Sequence, residues 1–476
     1  MERVLLTDMA QAMNATALNA AAREMDETEV VGVSTDSRST RGGELFFAIR
    51  GDSFDGHDFV AQALHAGASA AVVARGREKD IATDVGAPLL SVDDTLSALH
   101  AAAGWYRGLM DATVVGVTGT NGKTTTKDMT AAVLSTRMRT ARTTGNYNNH
   151  IGVPLTLFDI ERRHEAVVVE MGMNHLGEIT LLAGMARPSI GVVTNIGAAH
   201  LEHMKDLETV ATAKGELLEA LPADGTSVLN WDDERVRALE SRGPKQVVTF
   251  GLDEGADVRG EDVTEGEKGV SFTLSGGQRV ELPAHGRHNV MNALAAVAVG
   301  RVMGVDEAAA ASGLRRFDAS PMRMSVAKVG VITLLNDAYN CNPSSLLAAL
   351  RTLVDIARGR ETAVALGDML ELGAASSLAH RSAGEAAAGM GVDRLYLFGT
   401  EVEATRRGAV EAGMRESAVR VFENKTALAG AIWDELGEDA VLLVKGSRGM
   451  RMEEVVELLM REAPASRIGR SGSQLP

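Results

Sequence analysis

The residues best suited to do chemistry cluster in TGTNGKTTTK, positions 118–127. The apolar run Val114–Val117 precedes it, and Met129, Ala132, Val133 and Leu134 follow at helical spacing. The order is therefore strand, glycine-rich turn, helix. Free backbone N–H groups at a helix start attract phosphate oxygens, and glycine lets the backbone approach them closely. In such a loop Lys123 reaches the β/γ-phosphates and the Thr124 hydroxyl binds Mg2+. Gly119, Thr120, Asn121, Gly122, Lys123, Thr124 and Thr125 are the expected nucleotide contacts. The strict spacing G-x-x-x-x-G-K-[ST] would place glycine at 117, where Val117 stands. A glycine-rich turn with a solvated lysine is the competing reading, and the strand–loop–helix order favours phosphate.

A phosphate site needs an acidic metal ligand. Glu170 ends the apolar run Ala166–Val169, at a strand's carboxyl end, where a carboxylate can serve Mg2+. An ordinary solvated strand-end glutamate fits the same residue. His200 and His203 follow the run Ile190–Ile196 and form a weak metal-pair pattern. Lys214 lies in a helical pattern with Leu217, Leu218 and Leu221, where a solvated face is the default.

Positioning these groups requires an ordered set of strands and helices. Apolar runs at 165–172, 190–197, 226–230 and 246–251 alternate with helical patterns, which argues for a mostly parallel sheet covered on both faces. The stretch 268–286 breaks the pattern with two alternating runs around a Gly-Gly turn, a hairpin signal. A second α/β series follows the linker 318-DASPMRM-324, with strands expected at 329–337, 362–368, 394–399 and 440–446. Residues before about 105 carry short apolar runs between turn-rich segments. The tail 463–476 lacks core-forming residues.

The chain has 476 residues, too many for one core. Its net charge of -16 argues against a nucleic-acid-coating surface or a polybasic membrane anchor. The single cysteine, Cys341, excludes an intrachain disulfide and fits a reducing compartment. No secretory signal and no apolar run of membrane-spanning length is apparent, so a cytoplasmic protein without a membrane span is expected.

Taken together, TGTNGKTTTK, GNYNNHIGVPLTL (145–157), EMGMNHLGEI (170–179), TNIGAAHLEHM (194–204), ATAKGE (211–216) and GRHNVMNALAA (286–296) resemble the Mur ligase family. These enzymes form amide bonds at the expense of ATP in building the peptidoglycan peptide. The family's phosphate loop has the Gly-x-x-Gly-Lys-Thr form, which accounts for Val117. The resemblance implies an α/β chain of three domains: a UDP-substrate domain (1–107), a central P-loop ATPase domain with a mostly parallel sheet (108–317) and a C-terminal Rossmann-like domain (318–476). It implies that Lys123 contacts the phosphates and that Thr124 and Glu170 hold one Mg2+. His200 would help hold a second, with Lys214 matching a lysine that several members carbamylate. Asn289 and Asn292 match the H-N-x-x-N motif beside the nucleotide base. Arg323 matches a linker arginine at the γ-phosphate, and Asp337 an acidic residue near the ribose. His150 and His203 depart from the family pattern and receive no role.

The segments DAYNCNPSSLLAAL (337–350), LGDMLELG (366–373), His380 and VKGSRGMRMEE (444–454) resemble the branch that adds D-alanyl-D-alanine to UDP-N-acetylmuramoyl-tripeptide. The D-N-P-R string usual in the diaminopimelate-adding branch is missing. Both substrates are small molecules, and a monomer is expected. Lys445 and Arg448 are candidates to grip the dipeptide carboxylate. Asn149, Asn340 and Asn342 are taken as further substrate contacts, and Ser37 and Arg38 as UDP contacts. A diamino-acid-adding ligase and a folylpolyglutamate-synthase-like ligase are the enzymatic alternatives. A non-catalytic nucleotide switch is the alternative from another class.

Overall fold

The computed structural model describes residues 1–20, 22–51, 54–81, 86–198, 201–266 and 268–461. The run before the glycine-rich turn is strand Thr113–Thr118, and every residue after Thr113 in it is buried. Parallel partners lie on both sides, Ala166–Glu170 and Ile190–Val193, each buried along its whole length. Continuous burial without alternation is the signature of strands covered on both faces.

These strands belong to a nine-stranded sheet. Its parallel part runs Thr140–Arg142, Ala166–Glu170, Thr113–Thr118, Ile190–Val193, Thr226–Asn230, Gln246–Gly251 and Val258–Glu265. The predicted hairpin is present as Val270–Leu274 and Arg279–Leu282, antiparallel around Gly276-Gly277. It extends the same sheet through Val258–Glu265, a strand the sequence reading does not anticipate. Val270, Phe272, Leu274, Val280 and Leu282 are buried with Val290, Leu294 and Val297 of helix Arg287–Val302.

The C-terminal residues form a six-stranded sheet in the order Ser325–Val329, Ile332–Asp337, Val441–Lys445, Thr362–Gly367, Arg394–Phe398, Val419–Phe422. Only the first pair is antiparallel. The single strand expected over 329–337 is instead the turn and second arm of a hairpin. Gly330, at φ +57°, reverses the chain there, a conformation glycine adopts without penalty. A five-stranded sheet, Thr16–Leu18, Leu89–Val92, Ala70–Ala74, Glu44–Phe47 and Gly32–Ser34, holds the N-terminal residues. Helix Thr95–Arg107 joins it to the centre and buries Leu99, Ala102, Ala103 and Tyr106 in a core shared with Val153, Leu157 and Leu182. The Tyr106 hydroxyl donates to the Ile160 carbonyl at 2.6 Å.

Register brings the site together. Glu170 pairs with Val117, and Val193 with Thr118, so Glu170, the glycine-rich loop and Thr194 leave the sheet at one edge. In the C-terminal sheet Asp337 pairs with Lys445. Among the described residues, no helix is long and apolar enough to cross a membrane.

Candidate active site

The loop after Thr118 is held from beneath by the strand beside it. The Thr120 N–H donates to the Asn195 carbonyl (2.9 Å), and the Asn121 N–H to the Asn195 side-chain oxygen (2.9 Å). The Asn121 carbonyl accepts from Thr194 Oγ1 (2.7 Å) and Asn195 Nδ2 (3.0 Å). Two glycines are obligatory. A Cβ on Gly119 would fall 1.8 Å from Thr194 Oγ1, and one on Gly122 would fall 2.3 Å from Asn292 Oδ1; both residues have positive φ. Helix Lys123–Leu134 starts immediately after Gly122. Lys123 Nζ donates to the Gly119 and Thr120 carbonyls at 2.8 and 3.1 Å, curling over the loop it would share with a phosphate. Burial lowers its pKa; Glu170 opposes that shift and Arg323 adds to it.

The loop opens into a cleft of about 720 Å3 between the central and C-terminal sheets. All the described residues that the sequence singles out for the site line it except Ser37 and Arg38. His200 lies outside the described residues, as do the side chain of His203 and the tail 463–476. Ser37 and Arg38 sit in the N-terminal part, where Ser37 Oγ donates to Gln62 and Arg38 forks onto Asp36. His150 lines the cleft, and its carbonyl accepts from His100.

Glu170 is 1% exposed. Its Oε1 accepts from Asn148 Nδ2 at 2.7 Å, whereas its Oε2 is buried without any hydrogen-bond partner. A buried carboxylate oxygen left unmet costs free energy, and a cation bound at that oxygen removes the cost. Thr124, buried on the first turn of the phosphate helix, lines the same cleft. The hard oxygen donors of Glu170 and Thr124 suit Mg2+. No group of three or more His, Cys, Asp or Glu able to hold a metal occurs among the described residues. Mg2+ is commonly bound through one or two carboxylates together with substrate phosphates. Lys214 is buried on helix Leu207–Glu219, not on a solvated face. Burial, then repulsion from Lys123, drives its pKa well below the ordinary lysine value, favouring the neutral amine.

The opposite wall comes from the C-terminal sheet. The Arg323 guanidinium stacks on the Tyr339 ring at 3.9 Å, and Arg448 lies 6.0 Å from the same ring. Arg448 also pairs with Glu453 at 2.6 Å. Lys445 is 2% exposed; its ammonium is committed to Asp337 and to the Asn340 carbonyl at 2.9 Å. The sequence reading sends Asp337 to a ribose and Lys445 to a dipeptide, whereas here they neutralise each other. Asp337 Oδ1 further accepts from the Met324 N–H at 3.1 Å. Asn342 caps helix Pro343–Ala357 and donates from Nδ2 to Asn121 Oδ1 at 2.8 Å, so it ties the phosphate loop to the C-terminal sheet. Asn340 Oδ1 accepts from the Cys341 N–H at 2.9 Å. Cys341 is buried, and that burial pushes its thiol up to about 12, which removes it as a nucleophile.

Asn289 and Asn292 are buried at the start of helix Arg287–Val302. Asn292 accepts from Thr126 Oγ1 (3.2 Å) and donates to Asn289 Oδ1 (3.0 Å), so its amide is spent on joining two helices beside Gly122. Asn149 Oδ1 accepts the Ile151 and Gly152 N–H groups and opens helix Gly152–Phe158. His380 is buried with both ring nitrogens bound to backbone at Met369 and Ser376, which shapes the loop after strand Thr362–Gly367. Sequence reasoning misses Lys127, Asn148, Tyr339 and Ser344. Lys127 lies four residues beyond Lys123, a one-turn spacing that marks it; the others carry no local signal.

With this geometry established, the chain can be set beside known proteins. Residues 117–300 match the Mur ligase middle domain, 322–448 the Mur ligase glutamate ligase domain, and 29–106 the Mur ligase family catalytic domain. The Bacillus subtilis UDP-N-acetylmuramoyl-tripeptide--D-alanyl-D-alanine ligase is 36% identical, over 93% of this chain and 96% of that one. The crystal structure of MurF from Acinetobacter baumannii superposes with a TM-score of 0.86 at 28% identity, covering 97% of this chain and 100% of that one. MurF ligase from Thermotoga maritima, solved in complex with ADP, gives 0.80 at 27% identity, covering 91% and 97%.

Proposed function

The chain belongs to the Mur ligase family, and from that premise we propose how its cleft carries out the family's chemistry. It is an ATP-dependent ligase that joins D-alanyl-D-alanine to the terminal carboxylate of UDP-N-acetylmuramoyl-tripeptide. The observation that carries the assignment of roles is the convergence of three things in one cleft. They are a phosphate loop, a buried carboxylate oxygen without a partner, and a cationic wall from a second sheet.

A carboxylate is a poor electrophile. Its oxygen attacks the γ-phosphorus of ATP, the bond to ADP breaks, and an acyl phosphate forms. The dipeptide amine then attacks the acyl carbon, and inorganic phosphate leaves as the amide forms. Carboxylate, triphosphate and phosphoryl group are all anionic, so the chain's task is positioning and electrostatics. The loop N–H groups and Lys123 hold the phosphates; Lys123 leaves its own loop carbonyls to do so. Arg323, its orientation fixed by the stack on the Tyr339 ring, faces the γ-phosphate. Thr124 and Glu170 would hold Mg2+, which when bound would supply positive charge to offset the negative charge of the phosphates. The carbamate that the resemblance implies for Lys214 is withdrawn, since it does not apply to the D-alanyl-D-alanine-adding ligases that the chain matches. Without it the buried Lys214 amine offers Mg2+ no oxygen, so only His200 is assigned to a second ion. Asn289 and Asn292 set the helix that borders the base.

Arg448 grips the dipeptide carboxylate, exchanging Glu453 for it. Lys445 acts indirectly, by fixing Asp337 and the Asn340 carbonyl. Residues 1–107, with Ser37 and Arg38, receive the UDP moiety; 108–317 bind ATP, and 318–476 bind the dipeptide. The reaction is placed in the cytoplasm, where ATP is available, and in a single chain, since one chain supplies the whole cleft.

Phosphate release in the presence of ATP and Mg2+ tests the assignment. Release should require both UDP-N-acetylmuramoyl-tripeptide and D-alanyl-D-alanine. Release with a dipeptide precursor and a free diamino acid, or with a folate and glutamate, would overturn it.

A further inference from the structure

Lys127 sits one helical turn beyond Lys123 and is 1% exposed, yet it does not line the cleft. A buried ammonium is costly unless its donors are met. Here Nζ donates to the carbonyls of Thr143 (2.7 Å) and Gly145 (2.9 Å), and it lies 3.2 Å from the Asp128 carboxylate. Asp128 is in turn held by Arg142 at 2.9 Å and Ser320 at 3.0 Å.

The two carbonyls begin segment 143–149, which has no regular secondary structure. That segment brackets Glu170. At its start, Thr143 Oγ1 accepts the Glu170 N–H at 3.0 Å. At its far end, the Asn148 carbonyl accepts the Gly172 N–H at 2.8 Å, and Asn148 Nδ2 donates to Glu170 Oε1 at 2.7 Å. One carboxylate oxygen is thereby occupied and the other, Oε2, is left buried and partnerless.

We propose that Lys127 is a positioning residue for the metal–nucleotide site. By clamping the Thr143 and Gly145 carbonyls it fixes segment 143–149, so that Asn148 holds Glu170 with Oε2 presented to the divalent cation. The inference rests on the metal–nucleotide reading of the cleft. An apolar side chain leaves both carbonyls without their donor, the segment loosens, and Glu170 is free to turn towards the Lys123 ammonium. The helix that receives phosphate at its first turn thus also sets the metal carboxylate, through its second turn.

Binding of Mn2+ to the full chain in the presence of ADP, followed by electron paramagnetic resonance, tests this. Loss of a group that orients a metal ligand weakens metal binding by about 10- to 100-fold. Lys127→Met and Asn148→Ala should each do so, and the double variant should bind no more weakly than the weaker single. ADP affinity without metal should stay within about twofold. A purely structural role for Lys127 would lower the melting temperature and leave Mn2+ affinity unmoved, which overturns the proposal, as would additive losses in the double variant. Should Lys127→Met not fold, Lys127→Gln, whose neutral amide sits on a shorter side chain, should weaken Mn2+ binding in the same direction, and unmoved Mn2+ affinity in it overturns the proposal. If the unaltered chain binds no Mn2+ with ADP, the metal–nucleotide reading itself fails and takes the proposal with it.

Discussion

Asn342→Ser should weaken ATP turnover without harming the helix that Asn342 caps. The Asn342 side chain does two jobs. Its oxygen accepts the Ser345 N–H at 2.9 Å, and the Asn342 N–H in turn donates to Ser345 Oγ at 3.0 Å. Its Nδ2 donates to Asn121 Oδ1 at 2.8 Å, while Asn121 Nδ2 donates to Ser344 Oγ at 2.8 Å. Serine is as good a cap as asparagine but cannot reach Asn121, so the Asn342–Asn121 bond is lost while Asn121 keeps its bond to Ser344. One such hydrogen bond contributes about 0.5–1.5 kcal/mol, or about 2- to 13-fold in the equilibrium that brings the two sheets together. Steady-state kinetics should show kcat/KM for ATP reduced within that range and the melting temperature nearly unchanged. Asn121→Ala, which also loses the bond to Ser344, should cost at least as much, while its backbone bonds to Thr194 and Asn195 hold the loop. The double variant should be little worse than Asn121→Ala. Strictly additive losses, or an unchanged kcat/KM in Asn342→Ser, would refute the link. A melting drop matching that of Asn342→Ala would instead mean that the cap itself was lost.

Glu170→Gln removes charge from the partnerless Oε2, so activity should fall by at least about 100-fold, while thermal denaturation of the ligand-free chain shows equal or greater stability; a clear loss of stability would contradict the burial argument. Burial alone would raise the Asp55 carboxyl, but the His57 N–H and imidazole and the Arg77 guanidinium hold it well below the ordinary carboxylate range. Its contribution is therefore complete above pH 3.8 and is lost as pH falls towards its lowered value. The unaltered chain should be more stable than Asp55→Asn at pH 6, with the gap closing as acid unfolding is followed down to pH 2; a constant gap would show that charge is not involved. Cys341, its thiol at about 12, should resist iodoacetamide at pH 8 in the native chain and react promptly in urea. Rapid native alkylation would mean that the cleft wall opens.

The strand–loop–helix order around Lys123, the alternating α/β pattern and the Gly-Gly hairpin are local features, and all are visible in the chain. They are legible because burial on two faces demands unbroken apolar runs, and because phosphate binding demands glycine where backbone must approach a ligand. The turn at Gly330 was missed because a short hairpin with an apolar second arm looks like one long strand. Strand Val258–Glu265 was missed because four of its eight residues are charged and Val258 and Val263 are its only aliphatic ones. The sequence alone therefore determined which residues could meet a nucleotide, through motif order and residue type. Partners far apart in the chain were decided only by the tertiary structure. Sheet register set Asp337 against Lys445, and packing buried Lys214 where its pattern suggests a solvated face. The crossing of two domains placed Asn342 on Asn121, 221 residues away. Those assignments depend on register and domain contact, which no local run of residues encodes.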